Sequence, residues 1–231
     1  MNDPAIIAED LVFAWPGHAP VLDISRLDLA RGETLFLRGP SGSGKSTLLG
    51  LIAGVLKAGS GRLDVLGHDM NSLSGAARDR LRADHLGVIF QIFNLVPYLS
   101  VTGNVTLPLL FSPERKKRVG ADAAAEARRL LARLGLEGED LLSRRVSDLS
   151  VGQQQRVAAA RALIGAPDIV IADEPTSAMD SDTRDRFIRL LKEEAGAAGS
   201  ALLFVSHDLS LASHFDRAVS LGDINRAKVA A

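Results

Sequence analysis

Residues Gly39–Thr47 read GPSGSGKST. Gly39, Gly44, Lys45 and Ser46 meet the spacing G-x-x-x-x-G-K-[ST], whose chemistry is the holding of phosphate. Glycines let successive backbone N–H groups turn inward around anionic oxygens. Pro40, Ser41, Gly42 and Ser43 form the turn, and a helix starting after Gly44 adds the positive end of its dipole. Lys45 at this spacing reaches the β- and γ-phosphates of a nucleoside triphosphate. The Ser46 hydroxyl ligates Mg2+, and Thr47 supplies a further donor.

A pair of carboxylates and a histidine could act on what that loop holds. In DIVIADEP (168–175), Asp173 ends an apolar run and can hold Mg2+ directly or through water. Glu174 faces the other side of an extended chain, and Pro175 keeps it out of the α region. A carboxylate so placed can polarise a water toward a γ-phosphate, a reaction that asks for positioning and charge neutralisation. An acidic turn after a buried strand is the plainer alternative. His207 directly follows ALLFVS (201–206), at the end of a strand where open α/β sheets place ligands, so it is a candidate contact to γ-phosphate or water. His18, His68, His85 and His214 read as structural or solvated. Far downstream of the loop, LSVGQQQR (149–156) offers a second anion-holding device, with Ser150 as N-cap of a helix.

These residues need elements to position them. ETLFLR (33–38) is a strand running into the glycine loop, and STLLGLIAGVL (46–56) is the helix after it. GRLDVLG, HLGVIFQ, DIVIAD and ALLFVS read as further strands. LSVGQQQRVAAARALIG, with Gly165 near its end, and SDTRDRFIRLLKEEAG read as helices. Strands and helices in alternation predict a mainly parallel sheet covered by helices. Residues 92–149 break the pattern. Pro97, Pro108 and Pro113 are loop signals, and ADAAAEARRLLARLGL is an amphipathic helix ending near Gly135, so this region reads as a helical insertion. The basic residues of 115–118 and 144–145 read as a solvated face.

Bulk composition narrows the classes. The 231 residues are 46% hydrophobic and 24% charged, ordinary for a globular chain. A net charge of −1 gives no global attraction to nucleic acid or anionic lipid. With no cysteine, disulfides and thiolate metal sites are excluded. No apolar run approaches 18 residues, so no bilayer span is expected; LLGLIAGVL is bracketed by Lys45 and Lys57. The acidic start MNDPAIIAED lacks the basic region of a signal peptide.

Taken together, GPSGSGKST, Gln91 in VIFQ, LSVGQQQR, IVIADEPTSAMD and VSHD resemble, in order and over nearly the whole length, the nucleotide-binding subunits of ABC transporters. The resemblance implies an α/β P-loop NTPase core with a mainly parallel sheet, an N-terminal antiparallel β subdomain and an inserted helical subdomain. It implies one domain of residues 1–231, with 1–91 and 150–231 as core and β subdomain and 92–149 as the helical part. It implies ATP and Mg2+ as cofactors and ATP hydrolysis as the activity. Gln91 would contact Mg2+ or the lytic water and sense a membrane partner; residues 177–180 would be the D-loop, and His207 the switch histidine. Trp15 would stack on adenine, with Phe13 as second choice. Two chains would pair head to tail, each ATP lying between one chain's phosphate loop and Ser150, Gly152 and Gln153 of the other. Val151 stands where the family commonly has glycine. A β-branched residue tolerates positive φ poorly, so it is expected in ordinary backbone, with the site active.

The run 86–110 resembles the branch containing LolD, MacB and FtsE. There the segment after Gln91, here Ile92, Phe93, Leu95, Val96 and Tyr98, would form a groove for the permease's coupling helix. Internal packing of these side chains is the alternative. The expectation is a homodimeric motor subunit, peripheral at the cytoplasmic face of the inner membrane, driving a separate permease of the LolD/MacB/FtsX-like type. The rival is a soluble ABC-type ATPase acting on DNA or ribosomes. Such chains usually carry a coiled-coil insertion or second cassette, and this one has neither, nor a basic stripe, so no nucleic acid partner is expected.

Overall fold

The computed structural model describes residues 4–177 and 179–227. Ala178, in the expected D-loop of 177–180, lies outside them, as do residues 1–3 and 228–231. In chain order the elements are β1 (Pro4–Ala14), β2 (Pro20–Ala30), β3 (Thr34–Arg38), α1 (Lys45–Ile52), β4 (Ser60–Val65), β5 (His68–Asp69), α2 (Gly75–His85) and β6 (Leu86–Ile89). Then come α3 (Val101–Thr106), α4 (Pro113–Val119), α5 (Ala123–Arg133), α6 (Glu139–Ser143), α7 (Val151–Leu163), β7 (Ile169–Asp173), α8 (Ser181–Ala197), β8 (Ala201–Ser206), β9 (Arg217–Ser220) and α9 (Leu221–Ile224). They gather in two compact units, residues 4–82 with 201–227, and residues 83–200.

In the first unit β2, β1, β4 and β5 form an antiparallel sheet in that order. β2 largely alternates apolar and polar residues, and its Leu22, Ile24, Leu27 and Leu29 are buried with Leu11 and Phe13 of the mostly apolar β1. β3 runs parallel to β8 on one side, from Thr34↔Leu202 to Arg38↔Ser206, and parallel to β9 on the other. Both β3 and β8 are buried on both faces, which is why their sequences are unbroken apolar runs. Phe36, Phe204 and Phe215 pack ring on ring at 4.9 to 6.2 Å between centroids. The β3–β8 register places Gly39 and His207 each one residue past the same strand edge.

In the second unit β6 and β7 are parallel, from Leu86↔Ile169 to Ile89↔Ala172. α7 lies against β6, and Gly87 makes the approach possible: a Cβ there would stand 2.2 Å from the Ala162 carbonyl oxygen. α3 to α6 fall in the stretch expected to be helical, and α5 buries Ala127, Leu130 and Leu131 on one face. Pro108 and Pro113 do not mark loops. Each sits in the first turn of a helical segment, the 3-10 turn Leu107–Leu110 and α4, where a missing N–H leaves nothing unsatisfied.

The basic run is also not a uniformly solvated face. Lys116 and Lys117 are exposed, but Arg115 is 2% exposed. Its Nε donates to the Ile164 carbonyl at 2.8 Å, Nη1 to Leu86 at 3.2 Å, and Nη2 to Ala162 at 2.8 Å and again to Ile164. Burial pulls its pKa down to about 10, with repulsion from Arg118 adding and Asp84 opposing, so it is charged at neutral pH. Among the described residues no helix is long and apolar enough to cross a membrane.

Candidate functional site

The phosphate-type loop is built as its spacing requires. The chain leaves β3, turns, and enters α1 through Gly44 at φ 98°, ψ 7°, a left-handed cap. A Cβ at Gly44 would come 2.7 Å from Leu22 Cδ2, so the position needs glycine for both conformation and space. Lys45 is buried, and its Nζ donates to the carbonyls of Gly39 at 2.7 Å and Pro40 at 2.9 Å. The Ser43 hydroxyl is buried with no hydrogen-bond partner. An orphaned donor inside a glycine-rich turn closed by a lysine is what an entering phosphate oxygen would satisfy. Ser41, Gly42 and Ser46 are exposed and Thr47 is half-buried.

Val21 and Leu22, whose side chains lie nearest the Gly44 position, belong to the hairpin that carries Trp15. Trp15 is 44% exposed and meets the buried Phe13 edge to face, with centroids 5.0 Å apart. Of the two aromatics, Trp15 is the exposed one. A long-range contact steadies the hairpin's second strand. Asn225 accepts from the Asp23 N–H at 2.8 Å and donates to the Val21 carbonyl at 3.1 Å, and Leu221 lies 3.4 Å from the Cβ position of Gly39. Nothing in the local sequence around Asn225 announces this. His207 is exposed at the end of β8. Asp208 after it accepts from Ser210 N–H at 3.0 Å and Oγ at 2.7 Å, capping a 3-10 turn.

The second unit holds the other candidates. Asp173 is half-buried at the end of β7 and Glu174 is 8% exposed. Glu174 is not extended as expected: its φ is +47°. Pro175 excludes the right-handed α conformation, and the chain turns through the left-handed region instead, which for a side-chain-bearing residue costs roughly 1–3 kcal/mol. The β6–β7 pairing stops at Ile89↔Ala172, and Gln91 and Glu174 each lie two residues beyond it. Gln91, Ile92 and Tyr98 are exposed, whereas Phe93, Leu95 and Val96 are half-buried. The run is therefore neither wholly presented nor wholly packed. A groove of about 300 Å³ is lined by Ile92, Phe93, Leu95, Pro97, Val146 and Gln154.

Ser150 caps α7 as expected, in a reciprocal box. Its Oγ accepts from the Gln153 N–H at 3.4 Å, and Gln153 Oε1 accepts from the Ser150 N–H at 2.9 Å. Gln153 therefore uses its carbonyl oxygen on the cap, while Ser150 is exposed and Gly152 partly so. Val151 is the first helical residue and half-exposed, in ordinary backbone.

Among the described residues no three His, Cys, Asp or Glu side chains cluster as a metal cage. The donors expected for Mg2+ are a hydroxyl (Ser46), an amide (Gln91) and a carboxylate (Asp173). They are hard oxygen ligands, too few for a protein cage but suited to an ion that keeps water and phosphate in its shell. The structure thus assembles Trp15, Gly39–Thr47 and His207 in one unit. Gln91, Asp173, Glu174, Ser150, Gly152 and Gln153 fall in the other.

The chain is similar to known proteins over nearly its whole length. A family model described as ABC transporter matches residues 22–177. The lipoprotein-releasing system ATP-binding protein LolD of Novosphingobium aromaticivorans is 41% identical over 225 residues, 96% of this chain and 97% of that one. The macrolide export ATP-binding/permease protein MacB of Pasteurella multocida is 37% identical over 96% of this chain, which spans 34% of MacB. The dimeric post-hydrolysis state of the ATP-binding cassette MJ0796, bound to ADP and Pi, superposes with a TM-score of 0.82 at 34% identity, covering 93% of each chain.

Proposed function

This chain belongs to the ABC transporter family, and from that membership we propose how its residues divide the work of an ATP-driven motor. It is an ATP-binding, ATP-hydrolysing subunit of the LolD/MacB type. The observation that carries the division of labour is the loop Gly39–Thr47, with its buried, partnerless Ser43 hydroxyl and its lysine folded onto loop carbonyls. ATP enters by its triphosphate. Backbone N–H groups and Ser43 take the phosphate oxygens, and Lys45 exchanges the Gly39 and Pro40 carbonyls for the β- and γ-phosphates. Trp15 stacks on the base. Ser46, Gln91 and Asp173 would hold Mg2+, which when bound neutralises phosphate charge. Glu174 orients and polarises the attacking water, and His207 holds the γ-phosphate side.

Ser150 and Gly152 serve the nucleotide of a second copy, with the N-terminus of α7 aimed at it. Two copies thus close around two ATP and reopen after hydrolysis. The groove from Gln91 to Tyr98 receives a membrane permease, placing the chain peripherally at the cytoplasmic face of the inner membrane. The test is Glu174→Gln followed by gel filtration with ATP. The variant is expected to bind ATP, lose turnover and accumulate as a dimer. A variant hydrolysing at the parent rate removes Glu174 from the role given it. Copurification of a multi-pass membrane protein from detergent extract checks the partner.

A further inference from the structure

α7 carries Ser150 at its head. From its last turn Arg161 reaches to the loop behind Gln91, where Nη2 donates to the Phe93 carbonyl and Nη1 to the Asn94 carbonyl, both at 2.6 Å. One planar fork on two consecutive carbonyls fixes the peptide between them in orientation as well as position. Asn94 is held in the left-handed region at φ +51°. Two further links join the same helix to the strand before the loop. Gly87 admits the Ala162 carbonyl, and the buried Arg115 spans the carbonyls of Leu86, Ala162 and Ile164. On the loop's far side the buried Asn104 accepts from the Val96 N–H at 2.8 Å and donates to the Val96 carbonyl at 3.0 Å. β6, the loop and α7 are one framework.

Resting on the functional reading above, we propose that Arg161 is a positioning residue for ATP hydrolysis. It clamps the Phe93–Asn94 peptide to the helix that begins at Ser150, so that Gln91 and Ser150 are carried by a single body. Arg161 touches neither nucleotide nor water in this role. Displacement of the loop by a docked partner would move Ser150 with it, and loss of the clamp would let Gln91 wander while the phosphate loop still bound ATP.

The experiment compares the full chain with Arg161→Met and Arg161→Lys. It measures kcat, KM and Kd for ATP, the melting temperature, and hydrogen exchange of residues 92–97. The Met variant is expected to lose kcat about 10- to 100-fold, the scale of a small misplacement near a reacting centre. Its KM and Kd stay within about threefold, since ground-state binding is untouched. Exchange at 92–97, which includes the Val96 N–H, speeds up while that of α7 does not. Lysine, a point charge that cannot hold both carbonyls in one plane, recovers part of kcat. A Met variant with parent kcat, or with parent exchange at 92–97, overturns the proposal. So does a fall in Kd-controlled binding that accounts for the whole loss. Should Arg161→Met fail to fold, Arg161→Lys decides by the same two readouts, parent-like values overturning it. A parent chain that turns over no ATP would sink the functional reading instead, and the exchange data would still decide the clamp.

Discussion

Arg115→Met removes a guanidinium from a site that cannot replace it. Four bonds go, and three buried carbonyls, on Leu86, Ala162 and Ile164, lose their donor together. Bonds to a charged group contribute roughly 1.5–3 kcal/mol each, and orphaned acceptors cost about 1–3 kcal/mol apiece. Against this stands the cost of holding a charge out of water, several kcal/mol, which also lowers the Arg115 pKa to about 10. These contributions overlap and are not additive; removing one partner of a buried charged network costs about 3–5 kcal/mol. For a chain of this size each kcal/mol moves the melting temperature by about 2–4 °C, so a fall of roughly 6–20 °C is expected. Circular dichroism melts at neutral pH would read it. Lys117→Met, two positions away on the exposed side of α4, serves as control, with an effect within about 0.5 kcal/mol. If Arg115→Met melts within about 2 °C of the parent, the carbonyls have found water and the reasoning from burial is wrong.

Trp15→Ala is expected to raise the Kd for ATP about 5- to 150-fold, the equivalent of about 1–3 kcal/mol of stacking, with kcat preserved and Trp15→Phe nearly parental; a kcat loss at constant Kd would refute the assignment. Glu194, buried on α8, accepts from Arg133 Nε and Arg129 Nη1 at 2.9 Å each. Burial pushes its pKa up, but the two arginine bonds outweigh that and leave it below 4.5. A depressed carboxylate stabilises above its unfolded pKa and loses the effect as pH falls through the folded one. The melting gap between parent and Glu194→Gln should therefore be open at pH 7 and shrink below pH 4.5, and a gap that ignores acid contradicts the pairing. Val151→Gly, at the exposed first residue of α7, should change turnover less than about tenfold; a tenfold rise would mean that valine impairs the parent site.

Much of the frame around the candidate site was legible because it is set by local sequence. The strand–loop–helix of 34–52, the Ser150 cap and the buried strands β7 and β8 follow from glycine spacing, a cap followed by glutamine, and unbroken apolar runs. Four features were not. RKKR looks like a solvated run, and only the packing of α4 selects Arg115 as the residue turned inward. Pro108 and Pro113 punctuate equally well as loop or helix start, and the residues after each proline decide between the two. The clip of Asn225 onto β2 joins residues 202 positions apart, a separation no local pattern encodes. α2, GAARDRLRADH, has too few apolar residues to announce a buried face, and its helix is set by context rather than by pattern.

The left-handed backbone at Glu174 has a consequence for engineering. Glycine or asparagine would relax that conformation, so a library ranked by heat resistance alone would drift toward them and discard the carboxylate. On the role proposed for Glu174, thermostable descendants of this chain would then be well-behaved proteins that cannot complete a turnover cycle. Any directed evolution of its robustness has to select on phosphate release at the same time.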